Sequence, residues 1–115
     1  MMNQKKYKNK KTMVDGIAFD SMLEARRYKE LKLLEKAGEI SNLKLQPKYV
    51  IIPTVRYKNN TYRVTKYIAD FEYISNDGQI VVEDTKGFET DVYKLKRKLF
   101  LLKYGDKLEF REIRK

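Results

Sequence analysis

The chain reads as an α/β domain in the order αβββαβ: a helix, three strands in meander, a second helix and a last strand, arranged as one mixed sheet with helices against it. Three patterns predict this. Apolar residues recur at helical spacing in two stretches, at residues 21–37 and 91–102. Runs rich in β-branched and aromatic residues lie between them. Turn-forming groups, Asp15-Gly16 and Asn76-Asp77-Gly78, punctuate the chain where it must reverse. With 115 residues, 42% of them hydrophobic, there is material for one modest core and not two.

That single domain spans residues 12–115, and residues 1–11 precede it as a flexible basic arm. Lys5, Lys6, Lys8, Lys10 and Lys11 surround Tyr7 there without apolar periodicity. The arm is either a solvated tail or a phosphate-contacting segment acting through Lys8, Lys10 and Lys11. Thr12-Met13-Val14 and Ile17-Ala18-Phe19 flank Asp15-Gly16, a pair suited to the type I′ turn of a short hairpin. Asp20 or Ser21 then caps a helix running to about Ala37 and stopped by Gly38, with Leu23, Leu31, Leu34 and Ala37 on one stripe.

Leu43 to Pro47 leads into the apolar run Tyr49-Val50-Ile51-Ile52, where Pro53 predicts an edge or a bulge. Lys58-Asn59-Asn60 predicts a turn between Thr54–Tyr57 and a long second arm from Thr61 to Ile74. After the Asn76-Asp77-Gly78 turn, Gln79 to Lys86 forms the third strand and Gly87 ends it. Thr90 or Asp91 caps a second helix whose apolar face is Val92, Leu95, Leu99 and Leu102, with Lys94, Arg97 and Lys98 away from it. Lys107 to Ile113 supplies the last strand.

Lysine and arginine number 26 against 16 acids, a formal charge of +10, which favours a polyanionic partner because lysines bound to phosphates release condensed counterions. Nucleic acid leads, and an anionic membrane is the weaker candidate. No apolar run approaches the roughly 18 residues that a span needs, and the basic N-terminus leads into no signal-peptide apolar stretch. A soluble, cytoplasmic protein is expected. The chain has no Cys and no His, which removes disulfides, zinc ribbons, thiol nucleophiles and histidine bases. Phosphodiester cleavage by this chain would therefore rest on carboxylates, lysine and a hard cation, Mg²⁺ or Mn²⁺, with no small-molecule cofactor.

The acids that could hold such a cation follow from register. Along the third strand Ile80, Val82, Asp84 and Lys86 share one face, and Val81, Glu83 and Thr85 the other. If Asn76-Asp77-Gly78 is a three-residue loop with Gly78 left-handed, Ser75 pairs with Gln79 and Asp70 falls opposite Asp84, while Lys86 falls opposite Ile68. Opposed like charges destabilise a sheet unless something neutralises them, and a divalent cation would do so. Lys86, one step along the same face, could orient or deprotonate water or stabilise charge on a phosphate. The plainer reading is a strand-end charge pair on a solvated surface. A two-residue turn would offset the acids by one. Glu83 should point to the opposite face, and Glu72 remains an extra candidate ligand. Glu24 carries two readings: Ser21-x-x-Glu24 is a capping box, yet Glu24 lies within about 20° of Leu31 on the helix wheel, at the border of the buried stripe.

With these residues in place, the chain resembles the PD-(D/E)xK nuclease superfamily: Glu24 on a helix, Asp70 on the second strand, Asp84-Thr85-Lys86 on the third, and an amphipathic helix following from Asp91. Gly16 to Glu24 also looks like the start of the first helix in several small members, and Thr12 to Phe100 is similar to a phage-encoded family of unassigned function placed in that superfamily. The resemblance implies a restriction endonuclease-like core, a four-stranded mixed sheet flanked by helices, and metal-dependent hydrolysis of nucleic acid. It implies Asp70 and Asp84 as metal ligands, Glu24 as a further acidic metal-site residue and Lys86 as the catalytic lysine. Ala69 stands where many members have proline before the first acid.

So small a chain has little room for a base-reading domain, and small members with this plan include homodimeric Holliday junction resolvases. The expected function is thus a structure-specific endonuclease on branched DNA, in phage recombination or packaging, acting as a homodimer in the host cytoplasm. Lys94, Arg97, Lys98 and the basic arm are the expected phosphate contacts, although the helical cations fit a solvated outer face equally well. A general or nicking nuclease is one alternative, and a non-catalytic DNA-binding module of the same fold is another. Tyr57, Tyr62, Tyr67 and Tyr73 fit strand packing at least as well as base stacking.

Overall fold

The computed structural model describes residues 11–114. It begins with a hairpin, β1 (Thr12–Val14) and β2 (Ile17–Phe19), closed by Asp15 and Gly16. Both turn residues have positive φ, 54° and 77°, the type I′ geometry that Asp-Gly favours. Helix α1 (Met22–Lys36) follows, with the Ser21 hydroxyl accepting from the Glu24 backbone N–H at 3.0 Å. The chain leaves it through left-handed Gly38.

Four strands form the central sheet in the order β10-β9-β8-β3: β3 (Ile40–Leu45), β8 (Phe71–Ser75), β9 (Ile80–Lys86) and β10 (Glu109–Arg114). β3 and β9 run antiparallel to β8, while β10 is parallel to β9 and reaches the edge through helix α2 (Asp91–Tyr104), which Thr90 caps. The four-stranded mixed sheet and the two helices agree with the α/β expectation. In the β8–β9 turn Gly78 is left-handed and Ser75 N–H bonds Gln79 O at 2.9 Å, as the three-residue loop requires.

Two strand assignments differ from the sequence reading. The first core strand is β3 rather than Tyr49–Ile52; polar Ser41, Asn42 and Lys44 hide it, and its register shifts between Ser41 and Lys44, where Asn42 is left-handed. The long second arm is broken as well. β4 (Lys48–Ile52) pairs with β7 (Thr65–Ile68), a separate hairpin joins β5 (Val55–Tyr57) to β6 (Asn60–Tyr62) through the two-residue turn Lys58-Asn59, and the chain bends at Ala69-Asp70 before β8. Ile68 therefore pairs with Lys48, and Lys86 with Arg114, not with each other.

The sheet separates two apolar clusters. On one side Ala25, Tyr28 and Leu31 of α1 meet Phe71, Tyr73 and Val81; on the other Phe100 of α2 meets Ile51, Tyr67, Ala69 and Val82. Both helices present a different stripe from the one expected. On α1, Leu34 is exposed and Glu24, Ala25, Tyr28 and Leu31 are buried. On α2, Tyr93, Phe100 and Tyr104 face the sheet, while Val92, Leu95 and Leu102 face solvent. Aromatic bulk wins those contacts: the Phe100 ring lies 4.7 Å from Tyr67 and 4.9 Å from Tyr49.

Candidate functional site

β9 is buried on both faces along its middle and ends in charge. Val81 and Glu83 face α1, and Val82 packs with the α2 cluster, so the acids at 83 and 84 enter the interior on opposite sides. Glu83, wholly buried, is held by Arg27 through two 2.7 Å bonds to its two oxygens and by the Tyr73 hydroxyl. That fork ties α1 to the sheet and sets a guanidinium directly against the buried acid. Sequence reasoning missed this pair, whose members lie 56 residues apart; an arginine within the helical stripe and an acid inside a β-branched run were the only signals.

Asp84, only 1% exposed, is less well compensated. Its Oδ2 accepts from the Tyr67 hydroxyl, and its Oδ1 has Lys86 Nζ at 3.7 Å, an ion pair rather than a tight hydrogen bond. Burial first, and then the Asp70 charge, push its carboxyl up to about 7, with Tyr67 and Lys86 pulling the other way.

Register predicts Asp70 opposite Asp84, but the β8–β9 ladder ends at Phe71 and Glu83, and Asp70 lies in the bend before β8, offset by one residue so that it too sits against Glu83. The two acids are nonetheless neighbours, since the charge of Asp70 acts on Asp84. Asp70 N–H bonds Glu83 O at 3.1 Å, and its Oδ2 accepts from both the Thr85 N–H and the Thr85 hydroxyl at 2.7 Å. Thr85 thus clamps the first acid to the third strand. The bend at Ala69-Asp70 lets Ala69 pack into the α2 cluster while Asp70 reaches the cleft.

That cleft, about 480 Å³, is lined by Asp20, Ser21, Glu24, Asp70, Thr85, Lys86, Gly87 and Phe88. Both readings of Glu24 hold in part. The Ser21 half of the capping box forms, yet the Glu24 side chain is buried in the cleft wall, 5% exposed. Burial and then the charges of Asp70, Asp20 and Asp84 push its carboxyl up to about 7. Lys86 reaches the cleft along the face of Tyr93, its Nζ 4.4 Å from the ring centre. Phe88, 80% exposed at the rim, was not singled out from sequence. The structure therefore brings Glu24, Asp70, Asp84 and Lys86 to one place, with Asp84 just beneath the lining residues.

The donor set is hard oxygen from carboxylates, partly desolvated and mutually repelling, which suits Mg²⁺ or Mn²⁺ and no softer ion. Among the described residues no three acids form a ready cage for a metal. Mg²⁺ does not need one, since it keeps several waters and takes one or two carboxylates together with substrate phosphate. Asp70 and Asp84 fit that role, and Glu24 borders it. Glu72 does not: it is engaged by the Tyr49 hydroxyl at 2.5 Å and by Lys44 at 3.3 Å.

The expected phosphate contacts divide. Lys94 and Lys98 are exposed on α2. Arg97 is committed to Glu112 at 2.5 Å and Glu89 at 3.2 Å, pinning α2 to β10. Lys11 is exposed and paired with Asp20. Lys8 and Lys10, with the rest of residues 1–10, lie outside the described residues. No helix among the described residues is long and apolar enough to cross a membrane.

The chain belongs to the family described as Protein of unknown function (DUF1064), whose profile matches residues 4–114. No curated protein and no solved structure matches it.

Proposed function

We propose that this protein is a metal-dependent endonuclease that hydrolyses phosphodiester bonds in DNA, with its active site in the cleft between the start of α1 and the end of β9. The observation that carries the reading is the convergence of Glu24, Asp70 and Lys86 on one cleft with Asp84 buried beside them, where the Glu24 and Asp84 carboxyls are raised to about 7 by burial and by the charge of Asp70. Such a cluster is costly in a folded chain unless a cation joins it.

Asp70 and Asp84 would hold the ion, which when bound supplies Lewis-acid neutralisation of charge on the phosphodiester. The chain's own residues do the rest. Thr85 fixes Asp70 in one orientation through two hydrogen bonds, so little rotamer entropy is left to lose when substrate arrives. Tyr67 does the same for Asp84. Lys86 lies within ion-pair distance of Asp84 and lines the cleft, placing an ammonium where it can stabilise phosphate charge or orient water. Glu24, held near neutrality, is suited to accept or return a proton from water at physiological pH.

The resemblance to PD-(D/E)xK nucleases implies Asp70 and Asp84 as metal ligands, Lys86 as the catalytic lysine, Glu24 as a further acidic metal-site residue and an endonuclease-type core; the proton-transfer role of Glu24 rests on its burial in the cleft wall instead. A preference for branched DNA, and two copies acting on opposing strands, rest on that resemblance alone. The test is incubation of the protein with end-labelled four-way junction, flap, duplex and single strand in Mg²⁺ or Mn²⁺, beside Asp84→Asn and chelator controls. Cuts absent from both controls support the nuclease, and paired symmetric cuts confined to the junction support a resolvase. Binding without cleavage of any substrate would replace this reading with a DNA-binding module.

A further inference from the structure

Among the described residues, the β5–β6 hairpin contributes to neither apolar cluster. All six residues of its strands are exposed, and in register Val55 lies opposite Tyr62 and Tyr57 opposite Asn60, so one face collects Val55, Tyr57 and Tyr62 while Arg56 lies on the other. A hairpin that packs on its own domain buries such an aromatic face; this one does not, with Tyr57 61% and Tyr62 55% exposed. The strand tyrosines divide sharply, since Tyr67 and Tyr73 are core residues. Isolated two-stranded hairpins are marginal in water, so this one is best matched to an outside partner.

Charge says which partner. From Pro53 to Ala69 the chain carries Arg56, Lys58, Arg63 and Lys66 and no acid. Position says the same, because β7 leads from this hairpin directly through Ala69 to Asp70 at the cleft. From these observations we infer that the β5–β6 hairpin is the duplex-gripping element of the protein, entering the major groove of DNA beside the phosphodiester presented to the cleft. Three-residue strands give a ribbon about 10 Å long, and the B-form major groove, about 12 Å wide and 8.5 Å deep, admits a two-stranded ribbon. Arg56, Lys58 and Arg63 meet the flanking phosphates, and Tyr57 and Tyr62 supply apolar contact to base edges. The A-form major groove of RNA is too narrow and deep for it. The inference names the substrate-binding element of the proposed nuclease and to that extent rests on the DNA-directed reading.

The test is fluorescence-anisotropy binding of the full chain to labelled duplex DNA in chelator, where no cleavage occurs, over a range of salt. The Arg56→Ala/Lys58→Ala/Arg63→Ala variant should bind at least ten-fold more weakly at moderate salt, and its log K against log salt slope should flatten by about 0.9 for each phosphate it no longer neutralises. Tyr57→Ala/Tyr62→Ala should weaken binding with the slope unchanged. Melting temperatures should stay within a degree or two, because neither set is buried. Binding within two-fold of wild type in both variants would overturn the inference and leave the nuclease reading intact. Equal, hairpin-dependent binding of duplex RNA would overturn its groove assignment. Hairpin-dependent DNA binding without cleavage under any metal would leave the inference standing and remove the nuclease; no binding by the wild-type chain would remove both.

Discussion

Glu83 and Asp84 are neighbours on one strand, both buried, and the fold treats them oppositely. Glu83 receives a bidentate arginine and a tyrosine hydroxyl. Asp84 receives one hydroxyl and a lysine at 3.7 Å, and faces a second carboxylate. A buried charge neutralised within the chain is architecture, since it locks α1 onto the sheet and asks for nothing more. A buried charge left short of partners costs stability that a proton or an external cation can return, which makes it a candidate site where Glu83 is a joint.

The largest expected effect separates the two acids by activity. Asp84→Asn keeps shape and removes charge, and should lower DNA cleavage by at least about 1000-fold, the order by which one transition-state-stabilising group matters, while the melting temperature holds or rises. Arg27→Ala should do the reverse. It strands Glu83 as an uncompensated buried charge at a cost of about 3–5 kcal/mol in chemical denaturation. Arg27→Met combined with Glu83→Leu should recover most of that stability and retain cleavage of the protein that folds. Loss of cleavage in the refolded double variant would place Glu83 in the chemistry and erase the distinction.

Metal and pH sharpen the same contrast. A cation bound only by the folded chain should stabilise it by about 2.7 kcal/mol at a hundred times its dissociation constant, and Asp84→Asn should remove the gain. In chelator the sign follows from Glu24 and Asp84, both raised to about 7 when folded. Folding favours their protonated forms, so their contribution is fully present below the ordinary carboxylate range and is lost as pH rises through about 7. The wild-type melting temperature should therefore fall more between pH 5 and pH 8 than that of Asp84→Asn, and Mg²⁺ should offset that fall at the upper end. Identical slopes in the two proteins would show that Asp84 is compensated after all.

How far this contrast was legible in the sequence depended on which contacts are local. The turn residues Gly16 and Gly78 and the Ser21 and Thr90 caps follow from short-range geometry, and the structure has each of them; Asp70 and Asp84 come out as neighbours, although the bend before β8 breaks the register that predicted them as a cross-strand pair. The break at Ala69-Asp70 was signalled only by two residues of low β-propensity inside a run of β-branched and aromatic residues from Thr61 to Ile74; tertiary pairing of β7 with β4 and of β8 with β3 divides it. Periodicity identified α2 as amphipathic but not which face is covered, and tyrosines and Phe100 took the sheet in place of Val92, Leu95 and Leu102. Arg27 with Glu83, and Thr85 with Asp70, needed the third dimension. So did the isolation of the β5–β6 hairpin, since an exposed strand and a packed one share an alphabet.

The smallest expected effect probes the one full side-chain hydrogen bond that Asp84 has among the described residues. Tyr67 is held by its ring, stacked on Phe100 at 4.7 Å, so Tyr67→Phe keeps the packing and deletes only the hydroxyl that Asp84 accepts from. Stability should change by no more than about 1 kcal/mol, the usual net worth of such a bond. The hydroxyl favours ionised Asp84, so without it the carboxyl moves further up and fewer chains hold it charged at neutral pH. The acidic limb of the cleavage–pH profile, and of Mg²⁺ binding measured by melting temperature, should shift upward together, with activity restored at higher pH. A drop in cleavage that no rise in pH recovers would mean that Tyr67 acts on the substrate itself and not by setting the charge on Asp84.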